Sequence, residues 1–184
     1  MRALALLMVI GVAACSPAPE ATPAAPEPMS IPAAKALPSF DFRGLKPDTT
    51  TMADAVAAET VTRCSDSGSC EFTKYGIGDV GTGRSMVIFK DGKFDWFSVK
   101  MSPRSFEAVG RTLSSVYGAP CREDSRQLQN AFGATFSGDE VEWCFAEGHL
   151  ILRRHSENDV TEGELDFFTY REPAPAKDYN SGNL

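Results

Sequence analysis

The chain is poor in the residues on which most chemical sites depend. Only two histidines occur, His149 and His155. Their six-residue spacing keeps them on one face of a strand but too far apart to share a metal, so both read as surface positions. No cysteine pair is spaced C-x-x-C, which removes the usual signature of a thiol redox centre or a zinc ribbon. No serine stands in a nucleophile elbow. No apolar run approaches the roughly 20 residues that cross a bilayer as a helix. Positive charge is also scarce: 18 Lys and Arg face 25 Asp and Glu, for a formal charge of −7, which argues against a nucleic-acid partner. The acidic positions Asp139, Glu140, Glu142, Glu147, Glu157, Asp159, Glu162, Glu164 and Asp166 lack the alternating oxygens and glycine of a calcium loop, and read as a solvated face. The expectation is a protein with no catalytic residues, no metal and no cofactor.

What is present begins with a helix written with its own start and stop. In Ser102 to Cys121, Ser102 caps the first amides, Pro103 suits the first turn, and Met101 staples onto Phe106. Phe106, Val109, Leu113, Val116 and Tyr117 recur at helical spacing, backed by Arg104, Glu107, Arg111 and Ser115. Gly118 and Pro120 end the helix.

The first residues read as an export signal. Arg2, the apolar run from Ala3 to Ile10 and small residues up to Ala14 make residues 1–14 a signal peptide. Val12-Ala13-Ala14-Cys15 resembles the bacterial lipobox, which implies cleavage before Cys15 and its modification by acyl chains, palmitate among them. Ser16, where lipoproteins held at the inner membrane often carry aspartate, implies the outer membrane, facing the periplasm. Several acyl chains anchor stably where one is marginal, at about 0.8 kcal/mol per buried methylene. From Cys15 to Pro38 the chain is a Pro- and Ala-rich linker whose reach, at about 3.1 Å per residue, is on the order of 70 Å. The folded domain is expected over 39–172, followed by a tail over 173–184.

Within that domain, Met86 to Lys90 and Phe94 to Val99 flank Asp91-Gly92, a strong hairpin signal. Val141 to Ala146 and His149 to Arg153 flank Glu147-Gly148 in the same way, 56 residues later, and Cys64 and Cys121 are 57 apart. A helix precedes each cysteine: Thr51 to Glu59, with Asp54 placed for a capping box, and the helix described above. A last strand runs from Glu164 to Tyr170. The expected fold class is α+β, with two helix-plus-strands repeats (about 40–101 and 102–171) and the helices packed on one face of an antiparallel sheet.

With Cys15 lipidated, four cysteines remain in an oxidising compartment and read as two disulfides. Cys64–Cys70 and Cys121–Cys144 are the preferred pairs, and a bridge between Cys64 and Cys121 is the alternative. Gly76-Ile77-Gly78-Asp79-Val80-Gly81 matches the dinucleotide fingerprint letter for letter, but a strand follows it and not a helix, so it reads as a loop. Phe94, Trp96, Phe97 and Trp143, with Phe145, are the largest apolar investment. Strand neighbours point to opposite faces, so Trp96 and Phe97 cannot share one core, and these aromatics are the candidate binding surface.

Three motifs carry a resemblance: Gly44-Leu45-Lys46-Pro47-Asp48 before a short helix, Leu113-x-x-x-Tyr117-Gly118-x-Pro120 after one, and Val87-Ile88-Phe89-x-Asp91-Gly92-x-Phe94. Together they resemble outer-membrane lipoproteins of the SmpA/OmlA type and the wider beta-lactamase-inhibitor-protein-like fold. That resemblance implies a scaffold that binds other envelope proteins without chemistry. A protein inhibitor of an envelope or secreted enzyme is the alternative.

Overall fold

Among the described residues the chain forms ten strands and two α-helices. The computed structural model describes residues 36–129, 133–156 and 159–171. The expected signal peptide, the expected lipidation site Cys15 and the expected linker up to residue 35 lie outside the described residues, as do Glu157 and the expected tail. In chain order the elements are α1 (Met52–Ala57), β1 (Val61–Thr62), β2 (Ser69–Phe72), β3 (Ser85–Lys90) and β4 (Lys93–Met101). Then come a 3-10 turn (Pro103–Ser105), α2 (Phe106–Tyr117), β5 (Arg122–Asp124), β6 (Gln127–Gln129), β7 (Thr135–Ser137), β8 (Glu140–Cys144), β9 (Gly148–Arg153) and β10 (Gly163–Thr169). Eight of the strands form one sheet in the order β1-β2-β3-β4-β10-β9-β8-β5, while β6 and β7 pair only with each other. All pairings are antiparallel. The β4–β10 pairing is a central seam, with β1 to β4 on one side and the strands from beyond α2 on the other.

One face of this sheet is sealed. Val87, Phe89, Phe94, Phe97, Val99, Leu150, Leu152, Leu165 and Phe167 point into a continuous apolar core. Its cover is a composite. Phe106, Val109 and Leu113 of α2 enter it, as does Ala55 of α1. The segment ahead of α1 contributes Phe40, Phe42 and Leu45. The Phe40 ring stacks on Phe167 at 3.6 Å between centroids, and its N–H donates to Glu147 Oε2 at 2.9 Å. The helix signals are used as written. Thr51 and Asp54 form a reciprocal capping box on α1, and Ser102 caps the turn that leads into α2. Val116, assigned by spacing to the apolar stripe, is instead 66% exposed, because the core contact of α2 ends at Leu113 with Tyr117 at its margin.

The fold class therefore needs correction. The domain is mostly one eight-stranded antiparallel sheet, and its two helices are only 6 and 12 residues long. It is not a pair of helix-plus-strands repeats with helices as the layer on one face. The two hairpins that motivated a repeat occupy different places: Asp91-Gly92 joins β3 to the seam strand β4, whereas β8–β9 lies one strand away from the seam. The β6–β7 pair also has no counterpart among the described residues of the first half. Their turns differ physically as well. Asp91 and Gly92 both have positive φ, 52° and 77°, as a tight two-residue turn requires. Gly148 is instead the first residue of β9, where a side chain would put Cβ 2.0 Å from the Phe168 carbonyl oxygen. Its glycine answers to close strand approach.

Both preferred disulfides are formed, Cys64–Cys70 and Cys121–Cys144. The first closes the turn between β1 and β2. The second ties the exit of α2 to the end of β8, where the Cys121 N–H also donates to the Glu142 carbonyl at 2.8 Å. Each bridge thus pins an outer strand pair of the sheet.

Candidate binding face

The opposite face of the same sheet carries the candidate site, because period-two alternation sends there whatever the core does not take. Strand register aligns its residues in rows. One row is Asp124, Glu140, Arg153, Glu164 and Lys100, across β5, β8, β9, β10 and β4. The next is Arg122, Glu142, Ile151, Asp166, Ser98 and Met86. A third is Cys144, His149, Phe168, Trp96, Ile88 and Ser69. Two rows are charged and one is aromatic.

The charged rows hold three groups of ion pairs, around Arg153, Lys100 and Arg122. Arg153 Nε donates to Glu140 Oε2 at 3.0 Å and its Nη1 to Asp166 Oδ2 at 2.7 Å, all three side chains being less than a tenth exposed. Glu164 accepts from Ser98 Oγ at 3.0 Å and pairs with Lys100 across the seam. Glu142 meets Arg122 at 3.6 Å and lies against His149 Nδ1, which lacks the alignment of a hydrogen bond. Ile151 is buried among these groups yet stands outside the apolar core. Burial pushes the Asp166 carboxyl up to about 7; Glu164 adds to the rise, and Arg153, Ser98 and Lys100 oppose it.

The aromatic row is more open. Trp96 and Phe168 stack across the seam at 6.2 Å, and His149 meets the edge of Tyr170 at 4.8 Å. Tyr170 is 55% exposed and Met86 41%, with Ile88, Trp96 and Phe168 half-buried between them. Of the four aromatics expected on a binding surface, only Trp96 is on this face. Phe94, Phe97 and Trp143 are core residues, at 0%, 0% and 2% exposure, because their strand phase points them under the Phe40 segment and α2. Phe168, Tyr170 and Met86 were missed. The doublet Phe167-Phe168 held the same signal as Trp96-Phe97: one member of each must face away from the core.

Other sites read from the sequence stay separate. His155 lies beyond β9, its Nδ1 at 2.5 Å from the Val160 carbonyl and its ring on the edge of Phe136. Ligand atoms of Cys121, Glu142 and Cys144 lie within 4.8 Å of one another, but the two sulfurs are bonded together. The Gly76–Gly81 stretch is a loop closed by an Ile77–Val80 bridge, and β3 follows it. Beside that loop, a cavity of about 220 Å³ is bounded by Arg43, Ile77, Thr112, Val116 and Tyr117. Arg43 donates there to the carbonyls of Lys74 and Gly76, and Tyr117 Oη to that of Asp41 at 2.8 Å, so its polar walls are engaged. No family model, curated protein or solved structure matches this chain.

Proposed function

We propose that this chain is a lipid-anchored protein of the bacterial envelope that binds another envelope protein on the second face of its sheet and performs no chemistry itself. The observation that carries the reading is the asymmetry of the sheet. One face is sealed by the Phe40 segment and both helices. The other presents a half-open stripe of Met86, Ile88, Trp96, Phe168 and Tyr170 beside charged rows whose members already pair with one another. Aromatic residues on a rigid strand framework supply contact area at low entropic cost, which is how a binding surface is built. The lipobox-like Val12-Ala13-Ala14-Cys15, Ser16 and the Pro-rich linker support outer-membrane anchoring on a tether. The likeness of its motifs to SmpA/OmlA-type lipoproteins points the same way.

A photoreactive amino acid placed at Trp96 in living cells tests this. The expected result is a discrete adduct with one envelope protein that disappears in a Phe168→Ala background and is absent when the probe stands at Arg111 on the polar side of α2. Equal adducts from both positions, or none from Trp96, would overturn the reading. For the anchor, Cys15→Ser is expected to move the protein from the membrane pellet to the soluble periplasmic fraction. Unchanged fractionation would remove the lipid from the account.

A further inference from the structure

Where the chain leaves α2 and meets β8, three metal-ligating side chains converge. Cys121 follows the helix, while Glu142 and Cys144 stand two apart on β8 and so share its outer face. Their ligand atoms, two sulfurs and a carboxylate oxygen, lie within 4.8 Å of one another. The Cys121 N–H donates to the Glu142 carbonyl at 2.8 Å, and Cys144 Sγ stands 4.0 Å from Glu142 Oε1. His149, the cross-strand partner of Cys144, lies against that same oxygen, and its Nδ1 is buried without a hydrogen-bond partner among the described residues. Arg122 approaches the other oxygen at 3.6 Å. The bridge accounts for the meeting of the two sulfurs. It does not account for a carboxylate set beside them, next to an imidazole nitrogen with no hydrogen bond. Cys121 is an exposed residue, so a reductant in solvent reaches the bridge.

We propose that this corner is a redox-gated zinc site: closed while Cys121 and Cys144 are bridged, it takes a zinc ion on Cys121 Sγ, Cys144 Sγ and the Glu142 carboxylate once the bridge is reduced. The bridge opens by exchange with a dithiol, which passes two electrons and two protons to the two cysteines and is itself oxidised to a disulfide. Zinc then replaces the two thiol protons, which pass to solvent. Two thiolates with a carboxylate are zinc donors, whereas a carboxylate suits copper(I) poorly. The fourth tetrahedral position is open to water, and His149 Nδ1 is the group placed to hold that water. The site is independent of the anchor and of any partner on the aromatic row.

The full chain carrying Cys15→Ser, so that no fifth thiol competes, is reduced with dithiothreitol, freed of it without air, and titrated with zinc against a chromophoric chelator. One zinc per chain is expected after reduction and none while the bridges are closed. Reduction also opens Cys64–Cys70, so the count is repeated in Cys64→Ala/Cys70→Ala, where it should stay at one, and in Cys121→Ser/Cys144→Ser, where it should fall to zero. X-ray absorption of the loaded protein should show two sulfurs at about 2.3 Å and two lighter ligands at about 2.0 Å. Glu142→Gln should weaken binding at least about tenfold, since even outer-shell partners of a metal are worth that much. Far-ultraviolet circular dichroism follows the sheet throughout. No zinc bound after reduction, equal binding with the bridges closed, zinc retained by Cys121→Ser/Cys144→Ser, unchanged affinity in Glu142→Gln, or a sheet lost on reduction that zinc does not restore overturns the proposal.

Discussion

At the scale of single residues, the two aromatic doublets show how one residue's phase decides its role. Phe97 is fully buried and ringed by Phe42, Phe72, Phe94 and Phe167, whereas Trp96 next to it stacks on Phe168 on the other face. Truncating Phe97 to alanine should therefore cost about 3–5 kcal/mol in urea unfolding, through lost burial and the cavity left behind. Trp96→Ala should cost about 1 kcal/mol. Near-equal losses would mean that the second face is as closed as the first. Gly148→Ala is a further residue-scale test. Its Cβ would meet the Phe168 carbonyl at 2.0 Å, so a loss of about 1–3 kcal/mol is expected although the change adds only one carbon.

At the scale of elements, caps and bridges act where the helices and outer strands are weakest. α1 is six residues long and buries only Ala55, so its reciprocal Thr51–Asp54 cap matters out of proportion to its size. Thr51→Ala should cost about 1 kcal/mol. The Cys121–Cys144 bridge closes a separation of 23 residues and Cys64–Cys70 one of 6. On a chain-entropy account, replacing the former pair by alanine should cost about 3 kcal/mol and the latter about 2. Calorimetry of the two double variants checks the order. Much at this scale was legible in advance: the start and stop of α2, the capping box, the Asp91-Gly92 hairpin and both disulfides stand as local patterns. The assignment of Val116 to the buried stripe failed because helical periodicity gives a direction without saying where the partner surface ends.

At the scale of the whole molecule, charge sets the pH response. Hydrogen bonds hold the carboxyls of Asp54 and Asp159 below their ordinary range. Asp139 is also lowered: burial opposes the shift, but bonds from Ser125, Ser137 and Arg154 outweigh it. The stability these three groups contribute is present above about pH 4 and is lost as pH falls below it. Asp166 has the opposite sign: its folded value is raised to about 7, so its contribution is complete below about pH 4 and declines as pH rises toward 7. Stability should therefore peak near pH 5. Urea midpoints at pH 3, 5 and 8 should show the middle value highest, and Asp166→Asn should remove the fall between pH 5 and 8.

By itself the sequence determined what depends on near neighbours: helix boundaries, a tight turn that demands positive φ, and cysteine pairs close enough in chain order to find each other. The tertiary structure alone decided which aromatic of each doublet is core, that a non-helical segment led by Phe40 seals the sheet, and that Arg153 sits between Glu140 and Asp166. Those outcomes depend on strand order and register, which bring together residues such as Ser98 and Glu164, 66 positions apart. Alternation along a strand fixes that two faces exist. Only pairing with distant strands decides which face is covered and which charges lie beside one another.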